Sequence, residues 1–160
     1  MNLEGRKIRM KLSRQCGTYL FENGLIDLNA LEETNRVLAD GYGENNPEEF
    51  LSILFKKTKK LEEEKYLEHI HENMGVSFIK PKRIENEDVK KKVDIEFCKA
   101  TLTVPFDEDE DSIYVATPYA ICELIEELWK EKTKKEIIIF GCTIEDVDEI
   151  IEEMEKGIKK

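Results

Sequence analysis

Ile137-Ile-Ile-Phe140 runs four apolar residues without a polar interruption, between two amphipathic stretches. A short β-branched run of this kind reads as an interior strand covered on both faces. Ile138 is expected to be fully buried in it. Upstream, Ile121, Leu124, Ile125 and Leu128 recur at three and four residues, one helical face with Trp129 at its margin. Thr117-Pro118 offers that helix a hydroxyl cap and a first-turn proline. Downstream, Thr143 and Asp146 form a capping-box-like start. Ile144, Val147, Ile150, Ile151 and Met154 then make an apolar face, with Gly157 as the C′ residue. Ahead of all this, residues 101–106 and 112–116 alternate polar and apolar around the acidic run 107–111, a hairpin with a longer loop. The order over residues 100–157 is strand, strand, helix, strand, helix.

The first half is helical by period. Residues 1–15 carry few apolar groups and read as a short arm or helix, or as a solvated, frayed end. Tyr19, Leu20 and Phe21 precede Asn23-Gly24, a helix stop, and Asp27 is an N-cap for a helix with Leu28, Leu31, Val37 and Leu38. The loop-rich residues 41–47 end it. Residues 48–60 form a helix with Phe50, Leu51, Leu54 and Phe55 on one side. Residues 61–73 form another with Leu61, Tyr66, Leu67 and Ile70, ended by Gly75. Val76 to Ile79 is a short strand cut off by Lys80-Pro81. Residues 87–97 read as one helix with Val89, Val93 and Phe97 inward. The fold class is α+β: a helical N-terminal lobe, then an α/β-like lobe with a small mixed sheet, a hairpin and two covering helices. The divisions are a basic arm 1–13, the helical lobe 14–74 and the α/β lobe 76–157.

Charge narrows the partners. The net charge is −11. From residue 107 to 160 there are 17 acidic and 7 basic residues, nearly the whole excess, whereas residues 1–15 hold five basic residues against Glu4. An acidic body lacks the basic surface that phosphate neutralisation needs, so nucleic acid is not the expected partner. The basic start has an anionic lipid surface or an acidic protein patch as its alternative role. Cys16, Cys98, Cys122 and Cys142 form no CxxC pair, and no long apolar segment or signal peptide is present. They read as reduced thiols of a cytoplasmic protein that does not insert in a membrane.

Catalytic patterns are missing. There is no GxxxxGK[ST], GxGxxG after a strand, GxSxG or HExxH. His69 and His71, two apart on a helix, point to opposite sides and cannot share a metal. Their expected partners are Glu72 and Glu68. Cys142 follows a strand and precedes a helix, a position that lowers a thiol pKa, without a neighbouring His or Lys in sequence. The 107–111 run lacks the glycine and terminal glutamate of a calcium loop and reads as a solvated hairpin tip.

Gln15-Cys-Gly-Thr-Tyr-Leu-Phe-Glu-Asn-Gly-Leu-Ile26 with Leu31, then Leu61, Leu67, Ile70 and Gly75-Val-Ser-Phe-Ile79, is similar to a known pattern. It resembles the N-terminal domain of type II secretion and type IV pilus assembly ATPases (GspE/PilB/MshE N-terminal-like), over about residues 15–155. Gln15-Cys16 stands where that family has Arg-Leu, and Phe50-Leu51-Ser52 where a second copy of its motif has Arg-Leu-Gly. The resemblance implies a non-catalytic cytosolic adaptor without a required cofactor. Its partner would be a protein of a secretion, pilus or related envelope machine, a separately encoded ATPase among them. The alternative it implies is a cyclic di-GMP-sensing domain with a degenerate motif, for which Arg14, Gly17, Leu20, Gly24 and Leu25 are the ligand-binding residues.

Overall fold

The computed structural model describes residues 1–41, 48–80 and 86–158. Its helices are α1 (Leu3–Glu22), α2 (Leu28–Asp40), α3 (Phe50–Ser52, continued by a π turn Ile53–Lys57), α4 (Glu63–Met74), α5 (Glu87–Lys92), α6 (Ile95–Thr101), α7 (Glu123–Thr133) and α8 (Ile144–Ile158). The strands are β1 (Val104–Glu108), β2 (Ser112–Thr117) and β3 (Glu136–Gly141), ordered β1-β2-β3. β1 and β2 pair antiparallel as the expected hairpin, and β2 and β3 pair parallel through the α7 crossover. The class is α+β, helices first and the mixed sheet after.

Local chemistry explains most boundaries. The Asn2 side chain accepts from Gly5 N at 2.7 Å and starts α1, so residues 3–15 are helical rather than frayed, and Arg9 and Leu12 are buried. α1 passes through residues 13 and 14 without a break. It ends in a Schellman turn: Leu25 N donates to Leu20 O at 2.9 Å and Gly24 N to Phe21 O at 3.1 Å, with Gly24 at φ +75°. Asp27 caps α2 through Ala30 N at 2.7 Å, and Gly75 ends α4 at φ +65°. Thr143 Oγ1 accepts from Asp146 N at 3.1 Å and caps α8, whose Ile144, Val147, Ile150 and Ile151 are buried.

Several expectations are corrected. α8 continues past Gly157 to Ile158, so Gly157 does not end it. Residues 87–97 are two helices, because Asp94 accepts from Phe97 N at 3.2 Å and caps α6 instead of continuing α5. Residues 101–103 close α6 through Leu102 in the left-handed region, and β1 starts only at Val104. Thr117 belongs to β2; its hydroxyl takes Tyr119 N at 3.0 Å into a turn, and α7 begins at Glu123 with Cys122 as cap. β3 is an edge strand, so Ile138 is only partly buried, whereas Val115 and Ala116 of the central β2 are wholly buried. Val76–Ile79 reduces to one parallel bridge, Phe78 to Gly141. The expected helix 48–60 is α3 with its π turn. Gly41 caps α2, while residues 42–47 of the expected loop and Pro81 lie outside the described residues.

One buried cluster joins both halves. Leu12, Cys16 and Leu20 of α1 share it with Phe50, Leu51, Tyr66 and Ile70, and with Val104, Val115, Ile125, Val147 and Ile150. α1 is tied across the chain: Cys122 Sγ donates to Leu12 O at 3.8 Å, and Leu124 N donates to Gln15 Oε1 at 3.2 Å.

Candidate functional site

The expected ligand residues lie along the second half of α1 and its turn. Gly17 is buried, and a Cβ there would stand 2.8 Å from Leu31 Cδ1 and 3.3 Å from Phe50 Cζ. Its missing side chain is therefore space that α2 and α3 occupy. Leu20 is wholly buried, Leu25 half-buried, and Gly24 and Arg14 exposed. Arg14 Nη2 lies 3.8 Å from Met10 Sδ. At 1.5 Å per residue, roughly 12 Å of helix separates Arg14 from the end of α1, where Gly24 turns the chain. The fold thus gathers Gly17 and Leu20 into the core and leaves Arg14 and Gly24 apart on the surface.

A polar arrangement that sequence reasoning did not single out lies one face away. Arg9, 6% exposed, donates from Nη2 to Glu49 Oε1 at 2.9 Å and to Lys99 O at 2.6 Å, joining α1, α3 and α6. Burial pushes Glu49 up to about 7, against the pull of Arg9 and with the repulsion of Asp148. Burial also raises Asp148. A cleft of about 460 Å³ opens beside the pair, bordered by Lys99, Asp148, Glu152 and Glu155. Arg9 is one of five cations in the first 15 residues, and its partners lie 40 and 90 positions away, so no local pattern marks it.

The acidic hairpin tip is a structured turn. Asp109 Oδ1 accepts from Asp111 N at 2.9 Å and Ser112 N at 2.8 Å, which hold its carboxyl below the usual range. Glu108 lies 3.0 Å from Lys135 and 3.1 Å from Lys92, and those bonds lower it too. His69 meets the Tyr19 hydroxyl at 2.9 Å and Asn73 Nδ2 at 3.1 Å, and His71 meets Val76 O at 3.1 Å, in place of the expected glutamates. Among the described residues no group of three or more His, Cys, Asp or Glu is placed to hold a metal. The Cys142 thiol is pushed up by burial and by Asp146 and Glu63, so burial outweighs its helix-start position. Burial likewise pushes Cys98 up to about 12 and raises Cys16. These thiols are packing groups, not thiolates.

Among the described residues no helix is long and apolar enough to cross a membrane. No family model matches the chain, and no curated protein sequence matches it. Solved structures do share its fold. An N-terminal domain of XpsE aligns with TM-score 0.58 at 12% identity, over 88% of this chain and 94% of that one. A second crystal form of that domain gives TM-score 0.52 at 15% identity, over 95% and 96%. A structure of MshE with cdg gives TM-score 0.54 at 11% identity, over 88% and 96%. At the level of the fold this agrees with the resemblance drawn from residues 15–155, for which MshE is one of the name-giving proteins.

Proposed function

We propose that the protein is a non-catalytic, cytoplasmic interaction module that docks to a component of a secretion, pilus or related envelope machine. The partner class includes a separately encoded ATPase. The observation that carries this reading is the fold likeness, which extends over nearly the whole chain and nearly the whole of the XpsE N-terminal domain. The burial of all four thiols and the pairing of both histidines with neutral groups fit a scaffold better than a reaction centre. Affinity capture from native lysate is expected to recover a secretion or pilus component. Recovery of none would remove the reading.

The MshE structure with cdg favours one second reading, a cyclic di-GMP sensor. Its contacts would fall to Arg14, Gly24 and Leu25, because Gly17 and Leu20 support the core behind them. Calorimetric titration of the purified protein with cyclic di-GMP, with ATP as control, separates the two. No heat is expected from either nucleotide; saturable micromolar binding of cyclic di-GMP would make the sensor the better description.

A further inference from the structure

The two faces of the sheet are finished differently. On one face Ile113, Val115 and Ile137 are buried, with Trp129 of α7 buried beside Ile113. The other face buries Val104 and Ala116 at one end and carries Tyr114, Ile138 and Phe140, each only partly buried. Phe106 joins them from an irregularity in β1: the register slips between Pro105 and Asp107, leaving Phe106 as the extra residue of a bulge. Bulges re-aim side chains. Its ring reaches across the small Ala116 region to Phe140 at 5.4 Å between centroids, edge to face, and lies 6.2 Å from Tyr114.

The margin of this aromatic face is negative. Tyr114 donates its hydroxyl to Asp109 Oδ2 at 3.2 Å, and that bond, with the charges of Asp109, Asp107 and Glu136, holds its proton on. Asp107, Asp109 and Glu136 are exposed. Of the lysines nearby, Lys92 and Lys135 both serve Glu108, and Lys135 also donates to Asp109 O at 2.7 Å; Lys130 and Lys134 stand on the α7 side of Glu136.

Among the described residues the adjoining edge of β3 has backbone partners only at its Gly141 end. Gly141 directs its N–H to Ser77 O at 2.9 Å and its C=O to Ile79 N at 3.0 Å, both away from β2. In a parallel ladder alternate residues point the same way, so Ile139 and Ile137 present their backbone groups on that edge too. Among the described residues only the Phe78 bridge lies along it.

We propose that this edge and face are the docking surface for an extended, arginine-bearing segment of a protein partner, added as a fourth strand beside β3. This rests on the interaction-module reading. The added backbone bonds to Ile137 and Ile139, while alternate side chains lie over Ile138 and Phe140. Arginines at those positions stack on the Tyr114 and Phe140 rings and reach the carboxylates of Glu136 and Asp109. The charge of the margin selects arginine over an acidic or neutral segment.

The test uses the full chain, isotopically labelled, titrated with acetyl-Arg-Leu-Arg-Val-Arg-amide and, as control, acetyl-Glu-Leu-Glu-Val-Glu-amide. The arginine peptide is expected to shift the Phe106, Tyr114 and Phe140 rings and to slow amide exchange at Ile137 and Ile139; the control should do neither. Glu136→Lys, at an exposed position, should weaken binding by roughly tenfold or more with the melting temperature unchanged. Tyr114→Ala should weaken it similarly. Equal shifts with both peptides, shifts that map only to α8, or unchanged affinity in Glu136→Lys would overturn the proposal. So would concentration-dependent self-association that Glu136→Lys abolishes, since the occupant would then be a second copy. If Glu136→Lys still captures the machine component, the surface is wrong and the module reading stands. If the peptide binds and no component is captured, the reverse holds.

Discussion

Glu49, capping α3, and Glu108, closing β1, each lie within 3.1 Å of a cation. Burial pushes Glu49 up to about 7 although Arg9 pulls it down. Glu108, whose side chain is about as covered as that of Glu49, is lowered by two lysines that themselves reach solvent, Lys135 and Lys92. The same kind of ion pair therefore does opposite things at two places. Around Glu49 desolvation exceeds the Coulomb gain, and the arrangement holds three helices in one geometry. Around Glu108 two cations that keep contact with solvent outweigh desolvation, and the pairs fix a hairpin at little cost and for little gain.

The contrast is sharpest where a carboxylate has no cation in reach. Val115→Asp places one on the wholly buried central strand, and it is expected to cost about 5 kcal/mol or more and leave no cooperative thermal transition. Ile138→Asp on the partly exposed edge strand should still melt cooperatively, at a lower temperature. If the two melt alike, the assignment of centre and edge fails. Next comes Arg9→Met, which strands Glu49 and leaves Lys99 O without its donor. It should lower stability by about 3 kcal/mol in urea unfolding at pH 8, less at pH 5, where Glu49 is protonated.

Acid titration provides the third test. Glu49 binds its proton more tightly folded than unfolded, so between about pH 4.5 and pH 7 the folded state holds more protons and stability falls as pH rises. The raised Asp148 acts in the same direction. Glu108 and Asp109 act in the opposite one, losing stabilisation only as pH drops through their lowered values. Urea unfolding from pH 5 to 7 should show Glu49→Gln with a shallower slope than the parent and equal stability near pH 5. An unchanged slope would mean that Glu49 does not titrate in this window. The smallest effect is expected from Lys135→Met, about 0.5–1 kcal/mol. It should shrink further in 1 M salt, where the screening length falls to about 3 Å, while the Arg9→Met effect persists.

What could be read from sequence was local. Gly24, Asp27, Gly75 and Thr143 end or start helices through bonds to residues within four positions, and each was legible. Asp94 was equally local, but the apolar recurrence of Val89, Val93 and Phe97 outweighed it. The position of β3 was not legible: a run of four apolar residues is compatible with an interior or an edge place, and only the strand order decides. The ligand motif divided for a similar reason. The resemblance picked out Gly17 and Leu20, but did not show that the space beside Gly17 is taken by Leu31 and Phe50. Arg9 left no local trace, because its partners are brought in by tertiary structure.

The ties from α1 to distant segments set a schedule for biosynthesis. Arg9 needs Lys99, Leu12 needs Cys122 and Gln15 needs Leu124, at separations of 90, 110 and 109 residues. α1 thus waits for segments about 90–110 residues downstream before these ties can form. At about 5–20 residues per second that interval is roughly 5–20 s. During it α1 can pack on α2 and α3 alone, and its bonds to Lys99, Cys122 and Leu124 close last.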